Sequence, residues 1–554
     1  MWTDGLTDSA ATTPPAKFDS HIRVPYPYES ALSGIGEPSP TTQRLWYSRR
    51  FSVPIEWIGN GQRLLLHFGA VNWDSTVNVN GMELGEHRGG FDGFYYDITD
   101  AMKPGNNTLV VSAWNPLLID VPDAQIVGKQ RTNPGGIFYT GATGIWQSVW
   151  VEPVPATHIE RLNLVPDIDA KVLRITVDVR GDLTGPVTVT AMDGVKMIAE
   201  ATGTAGTEIA LPIANPHLWS PEDPFLYGLH VALGGDHADS VDSYFAMRKV
   251  SLGKDAQGRT RIFLNNHFVF EVGALDQGYW PDGIYTAPTD EALRFDIESA
   301  RKFGFNLLRK HAKVEPERWY YWADKLGMLV WQDMPQCFGP PRNGSLSDAA
   351  KAQWLTEWRQ IIAARRNHPC IIVWTTFNEG WGQHDTESIV ALTRQLDPSR
   401  LVNDASGWVD KGVGDIHDTH AYPGPWCEMP ENSRACVNGE FGGVTMRVPD
   451  HMWTTKVYGY GATLGDARTV TQKYQDLLKH AYALRDERGA SAVVYTQLTD
   501  VESESNGLMT YDRAVIKPLV DIMAAANRGG FLPLPPRPTE PETVPTTTQV
   551  GGEK

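Results

Sequence analysis

Cysteine is scarce in this chain, and the little there is carries no pattern. The four cysteines, Cys337, Cys370, Cys427 and Cys436, include no Cys-x-x-Cys pair, which excludes a zinc ribbon and a disulfide-dense mini-domain. Cys427 and Cys436 are near enough in sequence to close a short loop, but free buried thiols are the plainer reading. Also missing is any run of about 20 apolar residues, the length a membrane helix needs. Basic charge is in deficit: the formal net charge is −17, which argues against nucleic acid or an anionic membrane as partner, since both reward a positive surface. The opening residues, MWTDGLTDSAATTPPAK, have neither the basic n-region nor the apolar h-region of a signal peptide. The chain therefore reads as soluble, either cytosolic or exported with a signal absent from this sequence.

What is abundant is aromatic surface. Nineteen Trp and nineteen Tyr suit the apolar faces of sugar rings, although large β cores also consume Trp. At 554 residues the chain is too long for one core, and two to four domains are expected.

Residues 1 to about 21 are rich in Ser, Thr, Ala and Pro and read as a flexible lead. Over 22–155 the pattern is all strand: LWYSRRFSV, RLLLHFGAV, STVNV, FYYDI, TLVVSAW and IWQSVWVEPV are short β-branched and aromatic runs divided by turn residues. Asn80-Gly81 predicts a type I′ hairpin, because both turn positions need positive φ. With no amphipathic helix in the run, a β-sandwich follows. A second all-β stretch, 156–252, has the length of an immunoglobulin-like sandwich.

From 253 to 530 strands and helices alternate. Eight strands are predicted at FVFEVGA, NLLRKH, MLVWQDM, CIIVWTTF, RLVND, DIHDTHAY, ACVNGEF and SAVVYTQ. Helices are predicted over 290–303, 315–326, 348–366, near 470–485 and near 514–526. Continuous apolar strands indicate burial on both faces, and a (β/α)₈ TIM barrel is the economical architecture. Residues 531–554 form a Pro/Thr-rich tail expected to be disordered.

A barrel of this kind builds its active site where strands end. Two strands end in glutamate: CIIVWTTF runs into Asn378-Glu379-Gly380, and ACVNG runs into Glu440-Phe441-Gly442. Two carboxyl groups facing one another are what glycoside cleavage requires, one to protonate the leaving oxygen and one to meet the oxocarbenium ion. Glu379 is the expected acid/base, Glu440 the expected nucleophile, and Arg309 the donor beside Glu440. Read singly, either glutamate is an ordinary loop residue; the pair is what signals catalysis.

The chain resembles glycoside hydrolase family 2, which holds β-galactosidases, β-glucuronidases and β-mannosidases. The likeness spans about residues 22–530 and rests on FGAVNWDSTVNVNG, GGFDGFYYDIT, HLWSPEDPFLY, FAMRKV, NLLRKH, WADKLGMLVWQDMP, RRNHPCIIVWTTFNEGWG and NGEFGG. It implies a sugar-binding-like jelly-roll β-sandwich first, then the immunoglobulin-like sandwich, then the catalytic barrel. It implies too that Asn378 holds the sugar 2-hydroxyl, that Arg309 supports the nucleophile, and that Tyr422 steadies it. The sequence departs from the family in places. The histidine after Arg309 is His311, one position early. Gln336-Cys337-Phe338-Gly339 lacks the metal-binding Glu and His of the large galactosidases, so no metal or other cofactor is expected. The Asn-x-Lys clamp of the glucuronidases is not evident, since LTDVESESNG after the last strand carries no lysine, and this counts against a uronic acid substrate.

Further pocket candidates are Asp276 and Gln277, Asp333 (to bind hydroxyls or pair with Arg309), His420, Trp280, Trp381 and Trp426, with Tyr495 and Gln497 at the floor. Each has a competing role in turns or packing. His417 and His420 lack a third ligand at recognisable spacing, so a sugar hydroxyl is the preferred partner of His420. The first sandwich is expected to act as a scaffold lending LIDVPDAQIVGKQRTNPGG to the pocket. The reading is a retaining exo-glycosidase acting on an oligosaccharide or simple glycoside, β-galactosidase-like first, with β-galactofuranoside, α-L-arabinofuranoside and β-mannoside as alternatives. An inactive glycan-binding relative is the reading of another class. A homo-oligomer is compatible with the sequence, which shows no interface.

Overall fold

Alternation of buried and open side chains builds both sandwiches. In the first, Leu64, Leu66 and Phe68 of Gln62–Phe68 and Val77 and Val79 of Asp74–Val79 turn into one core, as a period of two dictates. The computed structural model describes residues 5–9, 13–182, 185–234, 239–337 and 346–536. A five-stranded sheet in the order Gly5–Ser9, Arg44–Phe51, Asn107–Trp114, Asp74–Val79, Met82–Arg88 packs on a three-stranded one of Val149–Pro155, Gln62–Phe68 and Phe94–Asp97. Asn80 and Gly81 take φ of 54° and 88° at the hairpin, the I′ geometry their identity suggested. The expected flexible lead needs correction: Gly5–Ser9 pairs antiparallel with Arg44–Phe51. This polar edge strand shows no apolar alternation in sequence, and the ladder alone places it.

The second sandwich is more regular. Leu173, Ile175 and Val177 face Val187, Val189 and Ala191, with Leu229 and Val231 beside them. Its sheets hold His158–Asp167, Val172–Arg180 and Glu208–Pro212 on one side, and Lys196–Gly203, Val187–Asp193, Tyr227–Leu233 and Ser240–Phe245 on the other. Arg248 joins it to the next domain, its guanidinium donating to the carbonyls of Pro369, Ser399 and Ile371.

Eight parallel strands then close into a barrel: β1 (Glu271–Asp276), β2 (Leu307–Lys310), β3 (Leu329–Asp333), β4 (Ile371–Thr375), β5 (Leu401–Asn403), β6 (Ile416–Ala421), β7 (Ala435–Gly442) and β8 (Ala492–Thr496). The helices are α1 (Asp290–Lys302), α2 (Glu317–Leu326), α3 (Asp348–Arg365), α4 (Thr386–Leu396), α5 (Ala467–Ala483) and α6 (Val520–Asn527). All eight strands match those expected. The helices match less well. Helix α4 escapes the sequence pattern because Asp385 before it gives no side-chain cap and glycines crowd the approach. Helix α6 starts later than 514 because Pro518 keeps the residue before it out of helical geometry. Strands β5 and β6 are followed by loops among the described residues. Of the proposed tail, 537–554 lies outside the described residues, as do Phe338 and Gly339.

All four cysteines are buried thiols, Cys427 and Cys436 with their sulfurs 3.6 Å apart. Among the described residues no helix is long and apolar enough to cross a membrane.

Candidate active site

The site begins with the alternation of β2. Arg309 points into the barrel mouth with His311, while Lys310 between them points out toward α2, as successive strand residues must. Arg309 is fully buried and organises everything near it. Its Nε and Nη2 lie 3.1 and 3.0 Å from the two oxygens of Asp333. Nη2 also donates to Asn378 Oδ1 at 2.7 Å, and Nη1 to Glu440 Oε1 at 3.2 Å. Burial alone would discharge the guanidinium, but Asp333 and Glu440 outweigh it and hold its pKa above the usual arginine value. The bidentate fork fixes Asp333, whose second partner is His311 Nδ1 at 2.7 Å.

Glu440 sits near the end of β7 with its other oxygen 2.7 Å from the Tyr422 hydroxyl, which in turn meets Thr496 Oγ1 at 2.7 Å. The Tyr422 ring stacks on Tyr460, centroids 3.8 Å apart. The residue before Glu440 has to be glycine: Gly439 N donates to Asp418 Oδ1 at 2.6 Å, and a Cβ there would lie 2.3 Å from the same carboxylate.

Glu379 follows β4 in the left-handed region, φ 54°, a conformation uncommon for any residue but glycine and frequent at functional positions. Its amide donates to Ser406 O at 2.8 Å. Its Oε1 lies 2.9 Å from His420 Nδ1, and Trp381 Nε1 approaches Oε2 at 3.4 Å. One oxygen of Glu379, one of Glu440 and a ring nitrogen of His420 lie within 4.8 Å of one another. Carboxyl oxygens this close fit the separation of about 5 Å found in retaining pairs.

The hydrogens around His420 follow from counting donors. Asp418 Oδ2 lies 2.5 Å from Ser406 Oγ and 2.8 Å from Asn403 Nδ2. A carboxylate only accepts, so the single Ser406 proton goes to Asp418. Ser406 Oγ is also 2.7 Å from His420 Nε2 and must accept there, so Nε2 carries a proton; the 3.4 Å approach of Arg309 Nη1 to that nitrogen is the longer contact. One further proton lies between Nδ1 and Glu379. On the carboxyl it makes a carboxylic acid beside a neutral imidazole, the form a proton donor needs. Burial works against the imidazolium, but Glu440, the Glu379 hydrogen bond and Asp418 outweigh it and raise the His420 pKa.

Thus Glu379, Glu440, Asn378, Arg309, His311, Asp333, His420, Tyr422 and Trp381 converge on one mouth. Asp276 and Trp426 do not. Asp276 lies opposite Lys310 in register and accepts from its Nζ at 2.7 Å and from Gly278 N at 2.9 Å, so its carboxylate faces the helices. Trp426 is exposed and lies against Arg488, 4.1 Å from the guanidinium carbon, beside the π turn Leu484–Arg488 that ends α5, because the chain after Pro423 runs down the outside of the barrel. Trp280 is buried under Arg513, and the Tyr495 ring packs with Phe441 and Tyr474. Gln277 and Gln497 bond to each other at 2.7 Å. His417 faces away from His420, toward Glu431 at 3.1 Å. Sequence reasoning missed Ser406, Asp418, Tyr460, Tyr139 and Glu504. Asp418 alone had a signal, since it shares a strand face with His420.

Three models of one family match this chain: the Glycosyl hydrolases family 2 sugar binding domain over residues 1–150, Glycosyl hydrolases family 2 over 157–248, and its TIM barrel domain over 286–482. The chain belongs to glycosyl hydrolase family 2. Among family 2 relatives, the beta-glucuronidase of Bacteroides fragilis is 28% identical over 388 residues, 65% of this chain and 54% of that protein. The beta-galactosidase of Thermoanaerobacter pseudethanolicus is 25% identical over 378 residues, 64% of this chain and 47% of that protein. This chain spans about half the length of the curated relatives it matches. The solved beta-glucuronidase of Ruminococcus gnavus is 19% identical, with a TM-score of 0.73 over 92% of each chain, a likeness of fold.

Proposed function

We propose that this family 2 glycosidase cleaves the non-reducing-end sugar of a β-hexopyranoside by double displacement with net retention. Glu440 attacks the anomeric carbon as the carboxylate, oriented by Arg309 and Tyr422, and the C–O bond to the leaving group breaks. Glu379 gives that oxygen the proton it shares with His420. The leaving group departs, and Glu379, now the base, takes a proton from water as that water attacks the anomeric carbon, breaking the bond to Glu440 and releasing the sugar with the Glu440 carboxylate restored. Asn378, held by Arg309, presents its amide N–H groups to the sugar beside Glu440. The observation that carries the reading is the approach of the Glu379 and Glu440 carboxyls to within 4.8 Å in one mouth.

The lysine-free loop after β8 puts a galactoside first. Relatives named beta-galactosidase and beta-glucuronidase both match, so the proposal is made for these two kinds of glycone.

A panel of p-nitrophenyl glycosides with NMR detection of the first-formed anomer tests it. Glu440→Ala should lose turnover by about three orders of magnitude or more, with azide restoring it and giving the inverted glycosyl azide. Glu379→Ala should spare substrates whose leaving groups need little protonation. Binding of oligosaccharide without turnover of any glycoside would sink the enzymatic reading.

A further inference from the structure

Part of the pocket wall comes from the first sandwich. Val127 and Gly128 donate their amides to Gln336 O, both at 3.1 Å, and Ile126 pairs with Cys337 in an antiparallel bridge. Gly128 has φ 60° and lies so close to Ala312 that a Cβ would be 2.4 Å from its carbonyl oxygen. The next residue is therefore set at the barrel mouth by backbone contacts on both sides. That residue is Lys129.

Four lysines are buried among the described residues, and three have partners. Lys310 meets Asp276 and Glu315 at 2.7 and 2.9 Å; Lys313 meets Glu315 and two carbonyls; Lys517 meets Asp500 at 2.6 Å and Ser505 O at 3.0 Å. Lys129 is only 8% exposed, yet its ammonium meets no hydrogen-bond acceptor among the described residues. The Phe138 ring is 5.7 Å away. Its charge is felt by two groups at the mouth. Burial, with Lys129 adding to it, lowers the His311 pKa, and burial raises that of Glu504 against the pull of Lys129. Glu504 accepts instead from the Tyr139 hydroxyl and from Asn506 Nδ2 at 2.9 Å.

A cation withdrawn from water without a hydrogen-bonded acid is costly, and the acid that feels this one, Glu504, is already held by Tyr139 and Asn506. A sugar hydroxyl would give this ammonium one neutral acceptor and leave its charge unbalanced; a carboxylate would balance it. We propose that Lys129 is a glycone-binding residue that takes the carboxylate of a uronic acid at the non-reducing end. The inference rests on the catalytic reading of Glu379 and Glu440 above. It reverses the expectation drawn from the lysine-free loop after β8, since the cation stands on another domain.

The test compares p-nitrophenyl β-D-glucuronide and β-D-galacturonide with the matching glucoside and galactoside, on wild type, Lys129→Ala and Lys129→Arg. The expected result is at least a tenfold preference in kcat/KM for a uronide. Lys129→Ala should lower uronide kcat/KM by about 10- to 100-fold, the scale of a hydrogen bond to a charged group, mostly through KM. The neutral glycosides should change by less than about threefold, as no hydrogen bond to a charged group is lost, and Lys129→Arg should retain the preference. Turnover of a neutral glycoside in preference to both uronides, or an equal loss on both classes in Lys129→Ala, overturns the assignment while leaving the catalytic pair standing. Failure to hydrolyse any glycoside overturns the catalytic reading and this one with it. If Lys129→Ala does not fold, the wild-type preference and Lys129→Arg decide.

Discussion

His420 Nδ1 lies 2.9 Å from Glu379 Oε1 while its Nε2 is held by Ser406 and, through it, Asp418. If Glu379 is the proton donor proposed above, the proton of this hydrogen bond should set the alkaline limb of kcat/KM. That proton is bound more tightly by two sites than by one. In His420→Gln the limb should move to lower pH, and the rate on substrates with poor leaving groups should fall about 10²-fold or more. A profile that keeps its alkaline limb in the variant would show that His420 only packs the site.

Tyr422 offers a cleaner separation of positioning from packing. Its hydroxyl donates to Glu440 while its ring stacks on Tyr460. Phenylalanine keeps the stack and removes the donor, so Tyr422→Phe should cut kcat by roughly 10²-fold, the scale of one lost donor at a charged centre. KM and the unfolding midpoint should stay near wild type. A large rise in KM with unchanged kcat would assign Tyr422 to sugar binding instead.

These contacts show how far the sequence could be read. Glu379 and Glu440 were visible because each ends a hydrophobic strand, and strand ends are local in sequence. Asp276 also ends a strand, but alternation sets it beside Lys310: with Arg309 directed inward, its neighbour and that neighbour's cross-strand partner had to face out. That step was available from sequence once Arg309 was assigned. The contact of Tyr139 with Glu504, 365 residues apart, was not, nor was the seating of residues 126–128 on Gln336. No periodicity encodes how one domain's loop meets another's mouth. Helix α4 was lost for a smaller reason, an uncapped start.

Arg309 should be structurally indispensable as well as functional. Arg309→Met leaves Asp333 buried without its fork and Glu440 without a cation, a change expected to cost about 3–5 kcal/mol. Denaturant unfolding should show a lower midpoint together with lost turnover. Arg309→Lys should not restore wild-type behaviour, because an ammonium cannot serve Asp333, Asn378 and Glu440 at once. Full stability in Arg309→Met would mean the acids find other partners.

Two of the three tryptophans expected at the mouth, Trp381 and Trp426, should behave differently. Trp426 lies under Arg488 on the flank of the barrel, and Trp426→Ala should leave kcat/KM within about twofold while losing a cation–π contact worth about 0.5–1 kcal/mol. Trp381, packed near Leu117 and Val127 and 3.4 Å from Glu379, should raise KM or lower kcat when removed. Equal effects of the two on kcat/KM would contradict their separation.

Stability should respond to pH through Glu271, at the end of the barrel opposite Glu379 and Glu440. Burial pushes its carboxyl up to about 8, with the Trp331 indole N–H, 2.9 Å from Oε2, offsetting part of the shift. An acid whose folded pKa is raised binds its proton more tightly in the native state than in the unfolded one. Between about 4.5 and 8 the native protein therefore holds the extra proton, and stability falls as pH rises through that window. Glu271→Gln retains an acceptor for the Trp331 N–H and has nothing to titrate. Its urea midpoint relative to wild type should be higher at pH 8 than at pH 5. Glu357, also raised to about 8 by burial, gives wild type a slope of the same sign, so the variant should flatten the dependence without abolishing it. Parallel stability curves for the two proteins across this range would show that Glu271 keeps the same charge state folded and unfolded.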